Sequence, residues 1–450
     1  MKIKLANKIT LTDVPDNMTR KIYDTFTVEN PVWLDNKKMN RWNGKTNRWL
    51  TYYMAKDGVL AIPRGALGLI IHFCKELNVR FELIDEIRKM DPTDFVFNAN
   101  LKGYQTKAVQ DILKRDFDVL QAPTGSGKTV IALSAIAERR QPTLVIVHNK
   151  TLLNQWMHRI ETFLNIPMDR IGIVGDGKKM VGPEITVGIV NSIYPVTASI
   201  RHHFGHIVVD ECHRCPSRTF TKAVTAFDSK YMLGLSATPY RRDGLTKLIG
   251  WHLGPIIKIE KNSLGKDDII YDVEFLVRET DFTCWADPSA QYAAMLSELC
   301  KDPARNALII KDVMMEVRNG GGTCLVLTDR KSHCENLAAM LLKRGIKTDI
   351  LTGDTPRRER DTILARLDAG NARILVATGQ LIGEGFDSRS LHTLFLVTPV
   401  KFEGRLLQYI GRVLRSAHGK HKAKIYDYVD PIGVLRASAE ARARIYRQWQ

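Results

Sequence analysis

Gln121-Ala122-Pro123-Thr124-Gly125-Ser126-Gly127-Lys128-Thr129 directly follows the apolar run Asp118-Val119-Leu120, and further along Ile207-Val208-Val209 ends in Asp210-Glu211. The first stretch reads as a buried strand, a glycine-rich turn and the start of a helix. Such a turn lets successive backbone N–H groups converge on phosphate oxygens, while Lys128 adds a point charge and Thr129 a hydroxyl for Mg²⁺. Thr124, Gly125, Ser126, Gly127, Lys128 and Thr129 are therefore the candidate nucleotide-binding residues. The second stretch supplies the other half of a nucleotide-hydrolysis site. Its last strand residue, Asp210, is placed to hold the metal through water, and Glu211 to orient and deprotonate an attacking water. One position departs from the G-x-x-x-x-G-K-[ST] pattern: its first residue is Ala122.

Working outward, short β-rich runs alternate with helical stretches: Asp118 to Leu120, Thr143 to Val147, Ile171 to Val174, Ile185 to Val190, Ile207 to Val209 and Tyr231 to Leu235. Buried parallel strands separated by helices predict a doubly wound α/β sheet. After a less regular stretch from about Leu245 to Asp287, the rhythm resumes with Thr323 to Leu327, Lys347 to Leu351, Arg373 to Ala377, Thr393 to Val397 and Ala423 to Tyr428. That is a second sheet, without a phosphate loop of its own. Residues 1–95 lack this rhythm and are rich in aromatic and basic residues, which marks a separate module. Three domains are expected, 1–95, 96–275 and 276–450, in keeping with a chain of 450 residues.

Lys plus Arg number 66 against 49 Asp plus Glu, a formal charge of +17, which points to a polyanionic partner. The seven cysteines are odd in number and scattered, which suits a reducing compartment rather than a disulfide framework. Cys212 and Cys215 form a C-x-x-C beside His206 and His213, but a structural zinc site needs a second ligand pair and none follows in register. Met1-Lys2-Ile3-Lys4-Leu5 continues into polar sequence, so no signal peptide is expected, and apolar runs such as Gly65 to Phe73 are too short to cross a bilayer. A soluble, cytoplasmic chain without a membrane partner is expected.

Further segments carry chemistry. Leu101-Lys102-Gly103-Tyr104-Gln105 precedes the phosphate loop, and the Gln105 amide is suited to donate to and accept from an adenine edge. Ser236-Ala237-Thr238-Pro239 follows the first sheet's Tyr231 run. In the second sheet come Ala377-Thr378 and Gly383-Glu384-Gly385-Phe386-Asp387, then Gln408-Tyr409-Ile410-Gly411-Arg412-Val413-Leu414-Arg415. Arg412 and Arg415 lie three apart on a predicted helix and project from one face. Guanidinium groups presented to a γ-phosphate stabilise the charge on the transferring phosphoryl group. With arginines on one sheet and the phosphate loop on the other, hydrolysis is expected to require closure of a cleft.

This set resembles helicase superfamily 2. Ala122 to Thr129 is similar to motif I, Val145 to Trp156 to motif Ia, Asp210-Glu211-Cys212-His213 to motif II, Ser236 to Pro239 to motif III, Val376 to Asp387 to motif V and Gln408 to Arg415 to motif VI, in the family's order over about residues 95–430. Tyr240-Arg241-Arg242-Asp243-Gly244 and the Gly-Glu-Gly-Phe-Asp form of motif V most resemble the XPB-type and restriction-subunit-type DNA translocases, and the DEAD-box RNA helicases less. Tyr409 stands where many relatives carry arginine. The resemblance implies two tandem RecA-like α/β domains preceded by a small α+β accessory domain, with ATP and Mg²⁺ as cofactors. It implies Lys128, Asp210, Glu211, Gln408, Arg412 and Arg415 as the catalytic set, and Gly385 and Asp387 as further nucleotide contacts. Thr151, Asn191, Ser192, Arg242 and Thr378 would approach the backbone of one nucleic-acid strand, contacts that position without reading sequence. Thr151 alternatively N-caps the helix entering Leu152-Leu153.

Trp33, Lys37, Lys38, Arg41, Trp42, Lys45, Arg48, Trp49, Tyr52 and Tyr53 crowd one segment of the N-terminal module. Basic residues interleaved with aromatics suit phosphate neutralisation combined with base stacking. The other reading makes the tryptophans a small core that the lysines keep soluble. This module resembles the accessory domain of XPB-like and phage branch-remodelling helicases, and its removal is expected to leave basal ATP hydrolysis intact. Arg436, Arg442, Arg444 and Arg447 decorate a final helix or track a strand. The resemblance suggests a monomeric motor on single-stranded, duplex or branched DNA moving 3′ to 5′, alone or beside a nuclease or repair partner. An RNA helicase, the motor subunit of a restriction or defence complex and a nucleotide-gated DNA-binding protein are the alternatives.

Overall fold

The computed structural model describes residues 1–123, 125–214, 218–240, 243–259, 272–288, 290–319, 322–379, 390–400, 403–413 and 422–447. The chain divides into two compact units, one of residues 1–122 and 127–260, the other of residues 261–450 together with 123–126.

The first unit opens with β1 (Lys2–Leu5), β2 (Lys8–Thr12), β3 (Thr27–Glu29), β4 (Trp49–Thr51), β5 (Met54–Lys56), β6 (Val59–Pro63) and β7 (Glu82–Asp85). Five of these form a sheet in the order β5-β6-β2-β1-β7, and β3 pairs with β4 in a separate ribbon. Strict alternation sets the buried face: Ile3, Leu5, Ile9 and Leu11 point inward between outward lysines and threonines. The second sheet contains β8 (Phe117–Gln121), β9 (Thr143–Val147), β10 (Gly172–Gly175), β11 (Lys178–Met180), β12 (Ile185–Ile189), β13 (His206–Asp210), β14 (Tyr231–Ser236) and β15 (Ile256–Lys258), in the order β11-β10-β12-β9-β13-β14-β8-β15. All pairings are parallel except β10 with β11. Its central strands are buried on both faces, so they read as unbroken apolar runs.

The N-terminal module has its own sheet but not its own core. One cluster of buried apolar side chains runs from Ile3, Leu11, Phe26 and Phe73 into Phe117, Leu248, Trp251 and Leu253. The Phe26 and Trp251 rings lie 4.7 Å apart, Arg64 donates to the Ser229 carbonyl at 2.9 Å, and Arg88 forms a two-bond pair with Asp228 at 3.1 and 2.9 Å. Removing residues 1–95 would strip this shared core from the first sheet. The structure therefore argues against a module that can be deleted without consequence for hydrolysis.

The second unit holds β16 (Asp272–Glu279), β17 (Thr323–Thr328), β18 (Asp349–Leu351), β19 (Ile374–Thr378), β20 (Leu391–Leu396) and β21 (Lys422–Val429), all parallel, in the order β16-β21-β20-β17-β19-β18. The stretch from Leu245 to Asp287 is less regular in part: residues 280–287 carry neither helix nor strand, while its other described residues hold more structure than the sequence suggested. A helix Lys247–Leu253 and two edge strands, β15 and β16, occupy it. Edge strands carry exposed and apolar residues mixed, which hides them from an apolar-run reading. Arg442, read as helix decoration, is buried: its guanidinium pairs with Asp427 at 2.8 Å, and Tyr446 donates to the same carboxylate at 2.8 Å. No helix among the described residues is long and apolar enough to cross a membrane.

Candidate active site

In an open parallel sheet, ligands bind beyond the carboxyl ends of the strands. Taken in sheet order, the carboxyl ends of β12, β9, β13, β14 and β8 lead into Asn191 and Ser192, Thr151, Asp210 and Glu211, Ser236 to Thr238, and the glycine-rich loop. Five sequence-distant segments thus share one edge of the first sheet, neighbours separated by about one strand spacing of 4.8 Å.

The loop itself is shaped by glycine. Gly125 and Gly127 have φ of +89° and +80°, left-handed values that turn consecutive N–H groups to one side. Ser126 folds back within the loop, its hydroxyl donating to the Pro123 carbonyl at 2.7 Å. A Cβ on Gly127 would come within 2.5 Å of Gln105 Nε2, so the Gln105 amide lies against the loop exit. Its Oε1 accepts the Lys102 N–H at 3.0 Å, at the start of the Gly103–Leu113 helix. Lys128 donates to the Ala122 carbonyl at 3.1 Å. Ala122 is buried and its N–H donates to Ser236 at 3.1 Å, which places the departure from the glycine pattern inside the sheet ladder.

Asp210 ends β13 with both carboxylate oxygens engaged. Oδ1 accepts the Glu211 N–H at 2.9 Å and Oδ2 accepts the Trp156 indole N–H at 2.8 Å. Burial, then the Glu211 carboxylate, raises Asp210 to about 6, and the Trp156 bond and Lys128 oppose that rise. A divalent cation would reverse this pressure. Asp210 and the Thr129 hydroxyl form a hard oxygen pair suited to Mg²⁺, which is usually held by one or two protein groups plus substrate phosphates. Bound there, Mg²⁺ would neutralise phosphate charge. Glu211 takes φ of +50°, unusual for a side chain of its size, and this turn swings it out of the strand. His148 Nε2 donates to its carbonyl at 3.2 Å. His213 Nδ1 lies 3.2 Å from Glu211 Oε2 and 3.1 Å from Ser236 Oγ, linking the ends of β13 and β14. Cys212 is fully buried and its thiol is pushed well up by burial, which disfavours the thiolate a zinc site requires. No group of three or more candidate metal-ligating side chains occurs among the described residues, and Cys215 lies outside them.

Thr151 is exposed in the first turn of the Lys150–Leu164 helix, whose cap is Asn149, accepting the Leu152 N–H at 2.9 Å. The capping alternative for Thr151 is thereby removed. Asn191 is exposed and Ser192 half-buried, and Thr378 is half-buried at the end of β19 in the second unit. In the N-terminal module Lys37, Lys38, Arg41, Trp42, Lys45, Arg48 and Trp49 are all exposed, with Trp42 at 89%. The tryptophan-core alternative fails for Trp42 and Trp49, while Tyr52 packs on Trp251 and Tyr53 on Tyr23. Arg48 is committed within the module: it bonds Glu29 at 2.9 Å and lies 5.0 and 5.1 Å from the Trp33 and Trp49 ring centres. Gln408 and Arg412 fall in the Glu403–Val413 helix with side chains outside the described residues, and Thr124, Arg242, Gly385, Asp387 and Arg415 lie outside them altogether.

Sequence reasoning missed Trp156 and Arg159. Trp156 holds Asp210, and Arg159 donates to the Thr129 hydroxyl at 2.6 Å. Their three-residue spacing on a predicted helix was the available signal.

Residues 98–241 match the family "Type III restriction enzyme, res subunit", and residues 306–417 match the "Helicase conserved C-terminal domain". A probable helicase of Escherichia phage T5 is 26% identical over 334 residues, covering 74% of this chain and 72% of the relative. The DNA 3'-5' translocase XPB2 of Sulfurisphaera tokodaii is 25% identical over 388 residues, covering 76% and 84%. The fold is shared with S. cerevisiae Dbp5, solved bound to RNA and ADP BeF3, at a TM-score of 0.55 and 13% identity, covering 78% of this chain and 92% of that one. A phosphate loop and an Asp-Glu strand end on one sheet edge, followed by a second parallel sheet in a matching helicase domain, lead to one assignment: the chain belongs to superfamily 2 of the ATP-dependent helicases.

Proposed function

We propose that this helicase acts on DNA, moving along one strand in the 3′ to 5′ direction and unwinding or remodelling duplex, forked or branched substrates as a Mg²⁺-dependent monomer. In this reading residues 1–95 grip DNA and residues 96–275 and 276–450 form the motor, working in the cytoplasm of a bacterial cell or phage-infected host, in DNA repair or recombination. Lys128 and the loop amides bind the phosphates, Asp210 and Thr129 hold the metal, and Glu211 takes the proton of the attacking water. Gln408, Arg412 and Arg415 complete the charge stabilisation, a role resting on their sequence pattern.

The observation that carries the reading is the order along the sheet edge: Thr151 follows the strand next to the one ending in Asp210 and Glu211, and Asn191 and Ser192 follow the strand beyond that. Backbone contacts there would share a sheet edge with the hydrolytic residues. The choice of DNA and of direction draws support from the relative named a DNA 3'-5' translocase, and the exposed basic and aromatic segment supports a strand partner with accessible bases. The test measures ATP hydrolysis with single-stranded, duplex, forked and four-way DNA and with RNA, alongside displacement from 3′- and 5′-tailed duplexes. Stimulation by DNA over RNA with displacement from the 3′ tail is expected. RNA as effective as DNA would overturn the substrate, and displacement from the 5′ tail the direction.

A further inference from the structure

The Lys150–Leu164 helix touches both proposed metal-holding residues from one face. Trp156 donates to Asp210 Oδ2 at 2.8 Å and Arg159, three residues on, donates to Thr129 Oγ1 at 2.6 Å. The same helix starts at the sheet edge with exposed Thr151 in its first turn, the residue proposed to meet the nucleic-acid strand. A helix of this length is stiff, so a displacement imposed at Thr151 reaches Arg159 as a tilt about the buried Trp156, whose bond to Asp210 stays in place.

Arg159 and a metal ion ask for the same oxygen. A guanidinium hydrogen-bonded to Thr129 Oγ1 and a divalent cation coordinated by that atom would place like charges a few ångströms apart in a half-buried site, where repulsion is weakly screened. We propose that Arg159 is a positioning residue that competes with Mg²⁺ for the Thr129 hydroxyl, and that strand contact at the start of the Lys150–Leu164 helix draws it off, so that nucleic acid raises the affinity of the site for magnesium-bound nucleotide. The inference rests on the nucleotide-site reading and on Thr151 as a strand contact. It names a residue outside the motif pattern and a direction of linkage: nucleic acid and Mg²⁺ each strengthen binding of the other.

The experiment titrates magnesium chloride into the full chain with a fluorescent non-hydrolysable ATP analogue, with and without a single-stranded DNA oligonucleotide, and reads the magnesium midpoint of analogue binding. In the wild type the DNA should lower the midpoint. Arg159→Ala should lower it several-fold without DNA and abolish the further shift, and Arg159→Lys should stay near wild type because it keeps the charge. Arg159→Met is the replacement should the alanine variant fail to fold, with melting temperature recorded for each. A midpoint in Arg159→Ala equal to or above that of wild type, or a DNA shift that persists in it, overturns the proposal. Lys128→Ala separates the two levels. If it leaves magnesium-dependent analogue binding intact, the nucleotide-site reading itself has failed; if it removes that binding while Arg159→Ala changes nothing, only the role of Arg159 falls.

Discussion

Trp156→Phe removes one hydrogen bond from Asp210 and leaves most of the ring's packing in place. The bond runs from an indole N–H to a carboxylate oxygen at 2.8 Å, with both groups buried. A bond of this kind to a charged group contributes about 1.5–3 kcal/mol, and about 1.4 kcal/mol corresponds to one pKa unit. Because the bond stabilises only the ionised form, its loss should lift Asp210 from about 6 by roughly one to two units. At neutral pH the ionised fraction would fall from roughly nine-tenths to between about a half and about a tenth, and the ability to hold Mg²⁺ with it. The acid limb of the rate profile at fixed, subsaturating magnesium should therefore move up in pH by about the same one to two units, while the rate recovers on the alkaline side. The sign for stability follows from the same shift. Asp210 is raised in the fold, so its contribution is fully present below the unfolded carboxylate value and is lost as pH rises through about 6. Trp156→Phe should accordingly lower the melting temperature of the magnesium-free protein more at about pH 8 than at about pH 4. An unmoved acid limb, or an equal stability loss at both pH values, would refute the reasoning and reduce Trp156 to a packing residue.

Glu211→Gln keeps the shape of the site and removes the proton acceptor, so turnover should fall by about 10² to 10⁴ while equilibrium nucleotide binding persists; wild-type turnover would remove Glu211 from the chemistry. Arg442→Met leaves Asp427 buried beside Tyr446 and should destabilise the second unit by about 3–5 kcal/mol in denaturant unfolding, whereas adding Asp427→Leu should recover much of that loss. Neutralising Lys37, Lys38, Arg41 and Lys45 should flatten the salt dependence of DNA affinity by about 0.7–0.9 of a log-log unit for each phosphate contact removed. Trp42→Ala should weaken single-stranded or forked DNA by about 1–3 kcal/mol and blunt duplex less, since stacking needs an unpaired base; equal losses on all three would assign Trp42 to another role.

What the sequence disclosed and what it hid divide along the range of the interactions involved. The phosphate loop was legible because its function lies in backbone conformation, and left-handed glycines at 125 and 127 are written locally. β8, β9, β13 and β14 were legible because strands covered on both faces have no reason to alternate. β15 and β16 were not, because edge strands mix exposed and apolar positions. The same division runs through the site. Asp210 and Glu211 are named by their motif, yet the ionised form of Asp210, disfavoured by burial and Glu211, is supported by a bond from Trp156, 54 residues earlier, and Thr129's hydroxyl is engaged by Arg159, 30 residues later. Those contacts arise from how the Lys150–Leu164 helix packs on the sheet, and helical spacing alone shows that Trp156 and Arg159 share a face without showing what the face meets. Arg442 failed in the opposite direction, reading as a surface charge because its partner Asp427 lies on a neighbouring strand. Charge in a sequence thus reports a residue's chemistry but not its neutraliser. In this chain the distant partners, the Trp156 N–H that favours ionised Asp210 and the Asp427 carboxylate that pairs with Arg442, decide which charges are available to bind phosphate or metal and which are held within the fold.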